Sequence, residues 1–136
     1  MGQSIVKYIV RNYAKLRNYE VNLDGLEVAR TIVEALEDKK GEDILLLDLK
    51  EVAPFTDYFV ICTGTSSRML KALVHGVMDM VREKHALKTK VEGTEMDGWI
   101  LADFGDVVLH VFSEPQREYY ALEQLWNDGK VVLHLQ

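Results

Sequence analysis

Residues 57–67 read Asp57-Tyr58-Phe59-Val60-Ile61-Cys62-Thr63-Gly64-Thr65-Ser66-Ser67, an apolar run that ends in small polar residues. An amphipathic pattern begins at Arg68, so the passage reads as a buried strand, a tight turn and a helix N-terminus. Such a turn presents backbone N–H groups that can hold an anion. The same residues also suit a simple change of chain direction in which Ser66 or Ser67 caps the helix.

The turn is not a P-loop, because no Lys follows it. It is similar to the Gly-Ser turn of nucleotidyltransferases, which place two carboxylates one residue apart soon afterwards to hold two metal ions. Here Arg68-Met69-Leu70-Lys71 occupy that neighbourhood, and a metal site cannot be assembled without its ligands. Asp103 and Asp106, with Asp97 and Asp48, form the other candidate metal set, although Gly105-Asp106 is ordinary turn chemistry. His75, His85, His110 and His134 have no ligand spacing, and His110 lies mid-strand among apolar residues, where a buried and hydrogen-bonded ring is expected. Cys62 falls in a buried-looking strand and reads as an inert core residue. With no nucleophile elbow either, the chain offers no catalytic constellation and calls for no cofactor. Trp99 and Tyr58 each begin a strand beside a polar loop; they suit exposed binding anchors or the edge of the core equally well.

The elements that must position these residues follow from periodicity. Asp24 and Glu27 have capping-box spacing ahead of Leu26, Ala29, Ile32, Val33 and Leu36, which predicts a helix over roughly 25–40 with Gly41 as its stop. Residues 44–49 and 58–63 read as strands covered on both faces. A helix from about Ser66 to His85 carries Leu70, Leu73, Val74, Val77 and Val81, with its Met residues as core filler and Gly76 allowing close packing. Residues 88–91 suggest a weak strand. Residues 99–103 and 107–112 suggest a hairpin turning at Gly105-Asp106. Pro115 suits a helix start, Tyr119, Leu122, Leu125 and Trp126 make one face of a last helix, and 131–135 suit a terminal strand. This order predicts an α/β domain with a mixed sheet of about five strands covered by helices.

At 136 residues the chain has the size of one domain with its own core. The reading is a basic extension over 1–23 and a single domain over 24–136. No run of about 18 apolar residues suggests a membrane span, and the opening residues do not resemble a secretory signal. A single cysteine excludes an internal disulfide and fits a reducing cytosol. The net charge of −6 is uneven: Lys7, Arg11, Lys15 and Arg17 against Glu20 give residues 1–23 a charge of +3, leaving −9 on the remainder. An acidic body opposes direct gripping of a phosphate backbone and suits a basic partner. Residues 3–17, acid-poor and loosely amphipathic, have some features of an organellar transit peptide but lack its Ser and Arg density, and read as an ordered extension.

Taken together, Thr56 to Ser67, Glu92-Gly93, Trp99 to Phe112 and Arg117 to Trp126 resemble the Iojap family, the ribosomal silencing factors, over about residues 26–127. The resemblance implies a nucleotidyltransferase-like fold without that enzyme's catalytic carboxylates. It further implies binding to the large ribosomal subunit through its protein number fourteen. The resemblance also implies that the bound protein would block the small subunit and repress translation when nutrients are scarce; an assembly role on the large subunit is the alternative, and a nucleotide-binding enzyme a weaker one. By position it carries over Tyr58, Ser66, Ser67, Arg68, Lys71, Trp99, Asp103, His110 and Tyr119. Among these, Trp99 and Tyr58 are expected as aromatic contacts and Asp103 as an acceptor for Lys or Arg. Residues 1–23 and 129–136 extend beyond the compact domain; for the first, contact with ribosomal RNA, packing on the domain and homodimer contacts all stay open.

Overall fold

The computed structural model describes Ile5 and residues 25–136. The proposed cap at Asp24 and, apart from Ile5, the amphipathic reading of 3–17 lie outside the described residues.

Helix α1 spans Gly25–Asp38 and buries Val28, Ala29, Ile32, Val33, Ala35 and Leu36, the face its periodicity predicts. It ends in paired reverse bonds, Lys40 N to Glu37 O at 3.0 Å and Gly41 N to Leu36 O at 2.8 Å. The left-handed residue is Lys40, at φ 63°, and not Gly41 as expected. Gly41 is needed for a different reason: a Cβ there would stand 2.5 Å from Cys62 Sγ.

Strands β1 (Glu42–Asp48) and β2 (Tyr58–Gly64) follow, then helix α2 (Ser67–His85), β3 (Lys90–Glu92), a 3-10 turn at Glu95–Asp97, β4 (Trp99–Asp103) and β5 (Val107–Ser113). Helices α3 (Glu114–Tyr120) and α4 (Leu122–Leu125) lead into β6 (Lys130–Leu135). Among the described residues the sheet therefore has six strands rather than about five, in the order β3-β4-β5-β2-β1-β6. β2 and β5 run parallel, with α2, β3 and β4 in the connection between them, and the other neighbours are antiparallel. β2 lies inside the sheet and is buried along its whole length, which explains its unbroken apolar sequence.

The last helix is not one helix. Ala121, at φ 44°, breaks it into α3 and α4, and this rotates Tyr119 and Leu125 into solvent instead of onto a shared core face.

Strand alternation divides the core in two. Val60, Cys62, Ile100, Ala102, Leu109 and Val111 face α1 and α2, where they meet Ile32, Leu36, Leu73 and Val77. Phe59, Ile61, Trp99, Leu101, Val108 and Phe112 face the opposite way and are covered by Phe55, Leu122, Tyr120, Trp126 and Ile5. Among the described residues, no helix is long and apolar enough to cross a membrane.

Candidate partner-binding surface

The Gly64-to-Ser67 turn adopts the capping arrangement. Ser66, with extended backbone, is the N-cap of α2, and its hydroxyl accepts from Met69 N at 3.1 Å. Thr65 spends both its N–H and its hydroxyl on Met69 Sδ, at 3.3 and 3.2 Å. Gly64 is required by packing, since a Cβ would come within 2.8 Å of Leu70 Cδ2. Ser66, Ser67, Arg68 and Lys71 are all exposed, so the first turn of α2 is open to solvent even though its cap is satisfied internally.

Trp99 is only 2 % exposed. It pairs with Phe112 across β4 and β5, its ring lies 4.7 Å from those of Phe112 and Tyr120, and its indole N–H donates to His110 Nδ1 at 3.2 Å. The expected exposed anchor is thus a core residue, because α3 and its Tyr120 close over it. Tyr58 is 5 % exposed, its ring packed against Gly25 of α1 and its hydroxyl accepting from Lys50 Nζ at 2.9 Å. Asp103 is buried as well and accepts from Gly105 N at 2.8 Å, fixing the β4–β5 turn. The three expected contacts also do not form one cluster. Trp99 and Asp103 sit at opposite ends of β4, about 13 Å apart at strand rise, and Tyr58 faces the other side of the sheet.

The structure brings together a different set at the Trp99 end. Tyr119, 78 % exposed, packs edge-on against Tyr120 at 4.9 Å, and Tyr120 rests on Trp99. The surface aromatic is therefore held by an aromatic stack that reaches the core. Beside it Gly98 closes against Ser113, whose N–H donates to Gly98 O at 2.9 Å, and this holds the 3-10 turn to the start of α3. Met96 in that turn is 80 % exposed. Nothing in its polar, glycine-flanked setting marks it in the sequence. A groove of about 220 Å³ between α2 and the β3 side includes Lys71, His75, Met78 and Val91.

A second groove, of about 370 Å³, borders the ends of β1 and β2 and α3, and its rim carries Glu42, Asp43, Glu114, Glu118 and Glu123. The one cation lining it among the described residues, Arg117, is consumed by the fold. Its Nη1 donates to Asp43 O and Thr63 Oγ1, both at 2.9 Å, and its Nε donates to Glu123 Oε1 at 3.2 Å. Asp43 also takes His134 Nε2 at 2.6 Å, which ties β6 to this corner. The groove therefore presents carboxylates to a visitor, and that chemistry fits a Lys- or Arg-bearing partner.

The other candidate chemistries resolve into structure. Asp97 accepts from Thr94 N and Oγ1, and Asp48 from Lys50 N. Among the described residues, no group of three or more His, Cys, Asp or Glu side chains is placed to hold a metal ion. Burial pushes the Cys62 thiol up to about 12, which keeps it protonated and unreactive. His110 is wholly buried, and burial lowers it to about 3, so it is neutral. Because Nδ1 accepts from Trp99, the proton must sit on Nε2, which has no hydrogen-bond partner among the described residues; Phe59 packs edge-to-face against the ring at 4.5 Å.

Fold and surface together define an α/β domain with an open mixed sheet, two long helices on one face and an exposed aromatic and acidic rim at the end of its parallel strands. The family described as ribosomal silencing factor during starvation matches residues 22–136, and the chain belongs to that family. A ribosomal silencing factor of Bacillus subtilis is 41 % identical over 98 residues, covering 72 % of this chain and 83 % of its own. One from Halalkalibacterium halodurans is 38 % identical over 110 residues, 81 % of this chain and 94 % of its own. A mouse protein named for mitochondrial assembly of the ribosomal large subunit is 37 % identical over 98 residues, 70 % of this chain and 43 % of its own. A crystal structure from Chromobacterium violaceum superposes with a TM-score of 0.74 at 37 % identity, covering 77 % of this chain and 88 % of that one. The family match runs through β6, so residues 129–136 belong to the shared domain and are not an addition to it.

Proposed function

We propose that this protein is a non-catalytic, cytoplasmic binding protein that docks on the large ribosomal subunit through its protein number fourteen. Bound there, it sterically prevents the small subunit from joining and so represses translation when nutrients are limiting. The observation that carries this reading is the family match across the whole described domain, residues 25–136. The rim adds physical support: an acid-lined groove beside an exposed, internally braced Tyr119 suits a basic ribosomal protein. On this reading Tyr119, Ser66, Ser67, Arg68 and Lys71 touch the partner, while Trp99 is a positioning residue that acts through Tyr120. Tyr58 and Asp103 shape the far end of the sheet and make no direct contact.

Sedimentation with separated subunits tests this. The protein should pellet with the large subunit and suppress the joined-ribosome peak when small subunits are added, and raising salt should weaken the effect. Tyr119→Ala should lower large-subunit affinity at least tenfold with the fold intact, since the side chain is mostly in solvent. Unchanged affinity would remove Tyr119 from the interface. A second reading, assembly of the large subunit, is supported by the mouse relative named for that process; it requires the protein to sediment with immature large-subunit particles in growing cells.

A further inference from the structure

The 3-10 turn at Glu95–Asp97 buries none of its own residues, yet it is braced from within and from α3. Thr94 N and Thr94 Oγ1 both donate to Asp97 Oδ2 at 3.1 Å, which closes the turn on itself. Gly98, at φ 72°, ends it in the left-handed region. A Cβ on Gly98 would stand 2.7 Å from Ser113 Oγ and 2.8 Å from Gln116 Cγ, so the end of the turn is pressed against the start of α3. The next residue, Trp99, supports Tyr120 and through it Tyr119. Gly98 and Trp99 thus carry two arms, the turn with Met96 and α3 with Tyr119. These arms hold the two most exposed large apolar side chains among the described residues.

A single apolar side chain in solvent is ordinary. Two on one braced block, of which α3 also borders the carboxylate-rimmed groove, have the composition of an interface centre with a polar rim. The mount is formed before any partner arrives, which reduces the ordering cost of binding. Tyr119 offers a stiff ring, and Met96 a flexible thioether that can adapt to a recess.

We propose that Met96 and Tyr119 are two prongs of one preformed contact, met on the partner by apolar side chains flanked by Lys or Arg. The proposal rests on the ribosome-binding reading above and adds to it a residue that the partner must accommodate. The prongs supply an attraction that salt does not screen, whereas the acid-lined groove supplies one that it does.

Full-length Met96→Ser and Met96→Leu, titrated against isolated large subunits beside the parent chain, test this. Because the side chain is in solvent, both variants should keep the parent's urea midpoint. Met96→Ser should bind about fivefold more weakly or worse, and Met96→Leu within about twofold of the parent, since an apolar contact survives exchange for an apolar side chain of similar size. The ratio between the Ser variant and the parent should persist as salt is raised, although both affinities fall. A Ser variant within about twofold of the parent would overturn the proposal. So would a Leu variant as weak as the Ser variant, or a ratio that vanishes at high salt. A parent chain that does not bind large subunits is a distinct result: it removes the ribosome-binding reading itself, and this contact with it.

Discussion

The two faces of the sheet are built in different ways. The face under α1 and α2 is aliphatic: Ile32, Leu36, Leu73 and Val77 from two long helices meet Val60, Leu109 and Val111. The opposite face holds most of the rings among its aliphatic side chains and is pieced together. Phe59, Trp99 and Phe112 are covered by Phe55, Tyr120, Trp126 and Ile5, which come from loops, short helices and the chain's start. Aliphatic packing needs only volume and a repeat, whereas aromatic packing needs particular ring geometries and partners for Tyr and Trp polar atoms. Both faces bury core side chains, and the second also connects the core to the exposed Tyr119 through Trp99 and Tyr120.

Trp99→Ala should have the largest effect. It removes the ring that supports Tyr120 and leaves His110 without a hydrogen-bond partner among the described residues. Urea unfolding should show a loss of about 3–5 kcal/mol, and ribosome binding should fall with it because Tyr119 loses its brace. A loss under about 1 kcal/mol would show that the aromatic face is not the integrated unit described here.

The aliphatic face is legible in the sequence because it is local. The i, i+3, i+4 spacing of Val28, Ile32 and Leu36, or of Leu70, Leu73 and Val77, needs no knowledge of the rest of the chain. The capping role of Ser66 is equally local. The aromatic face depends on contacts between residues far apart in the chain. Trp99 at the start of a strand could have been an anchor or a core residue, and only Tyr120, more than twenty residues later, decides between them. Position 120 itself depends on the break at Ala121, whose left-handed conformation no alanine announces. The Arg117 clamp is similarly hidden, since its acceptors at Asp43 and Thr63 are 74 and 54 residues away. The candidate surface was therefore only partly readable. Ser66, Ser67, Arg68, Lys71 and Tyr119 are exposed, whereas Met96 carried no signal and Trp99, Tyr58 and Asp103 are buried.

Two perturbed groups act on stability with opposite signs, His110 on the aromatic side and Asp106 at the turn beside α1. On the aromatic side, burial lowers His110 to about 3 from an ordinary value near 6.5. The unfolded chain takes up this proton below about pH 6.5 and the folded chain does not, so stability is full above 6.5 and falls as the pH drops. Between pH 7 and 5 this contributes a loss of about 2 kcal/mol. His110→Phe should flatten that limb of the urea-midpoint profile, whatever it does to stability at pH 7. An unchanged slope would show that the imidazole is not held neutral.

Asp106, in the β4–β5 turn beside Gly25 of α1, provides the smaller and opposite case. Burial, and then the charge of Asp57, raises it from 3.8 to about 6. The folded chain now holds a proton that the unfolded chain has lost, so stability is greatest below about pH 4 and declines as the pH rises through 6. The side chain is partly exposed, and solvent screening leaves a cost of about 1 kcal/mol at neutral pH. Asp106→Asn should therefore stabilise the protein by about that amount at pH 7.5 and leave it unchanged near pH 4, as read from urea midpoints at the two pH values. The double variant His110→Phe/Asp106→Asn separates the contributions. With both groups removed, the profile between pH 5 and 7 should be flatter than that of either single variant, because the two slopes belong to separate clusters and add. A double-variant slope that departs from that sum would mean the two faces of the sheet are electrostatically coupled, contrary to the division drawn from their packing.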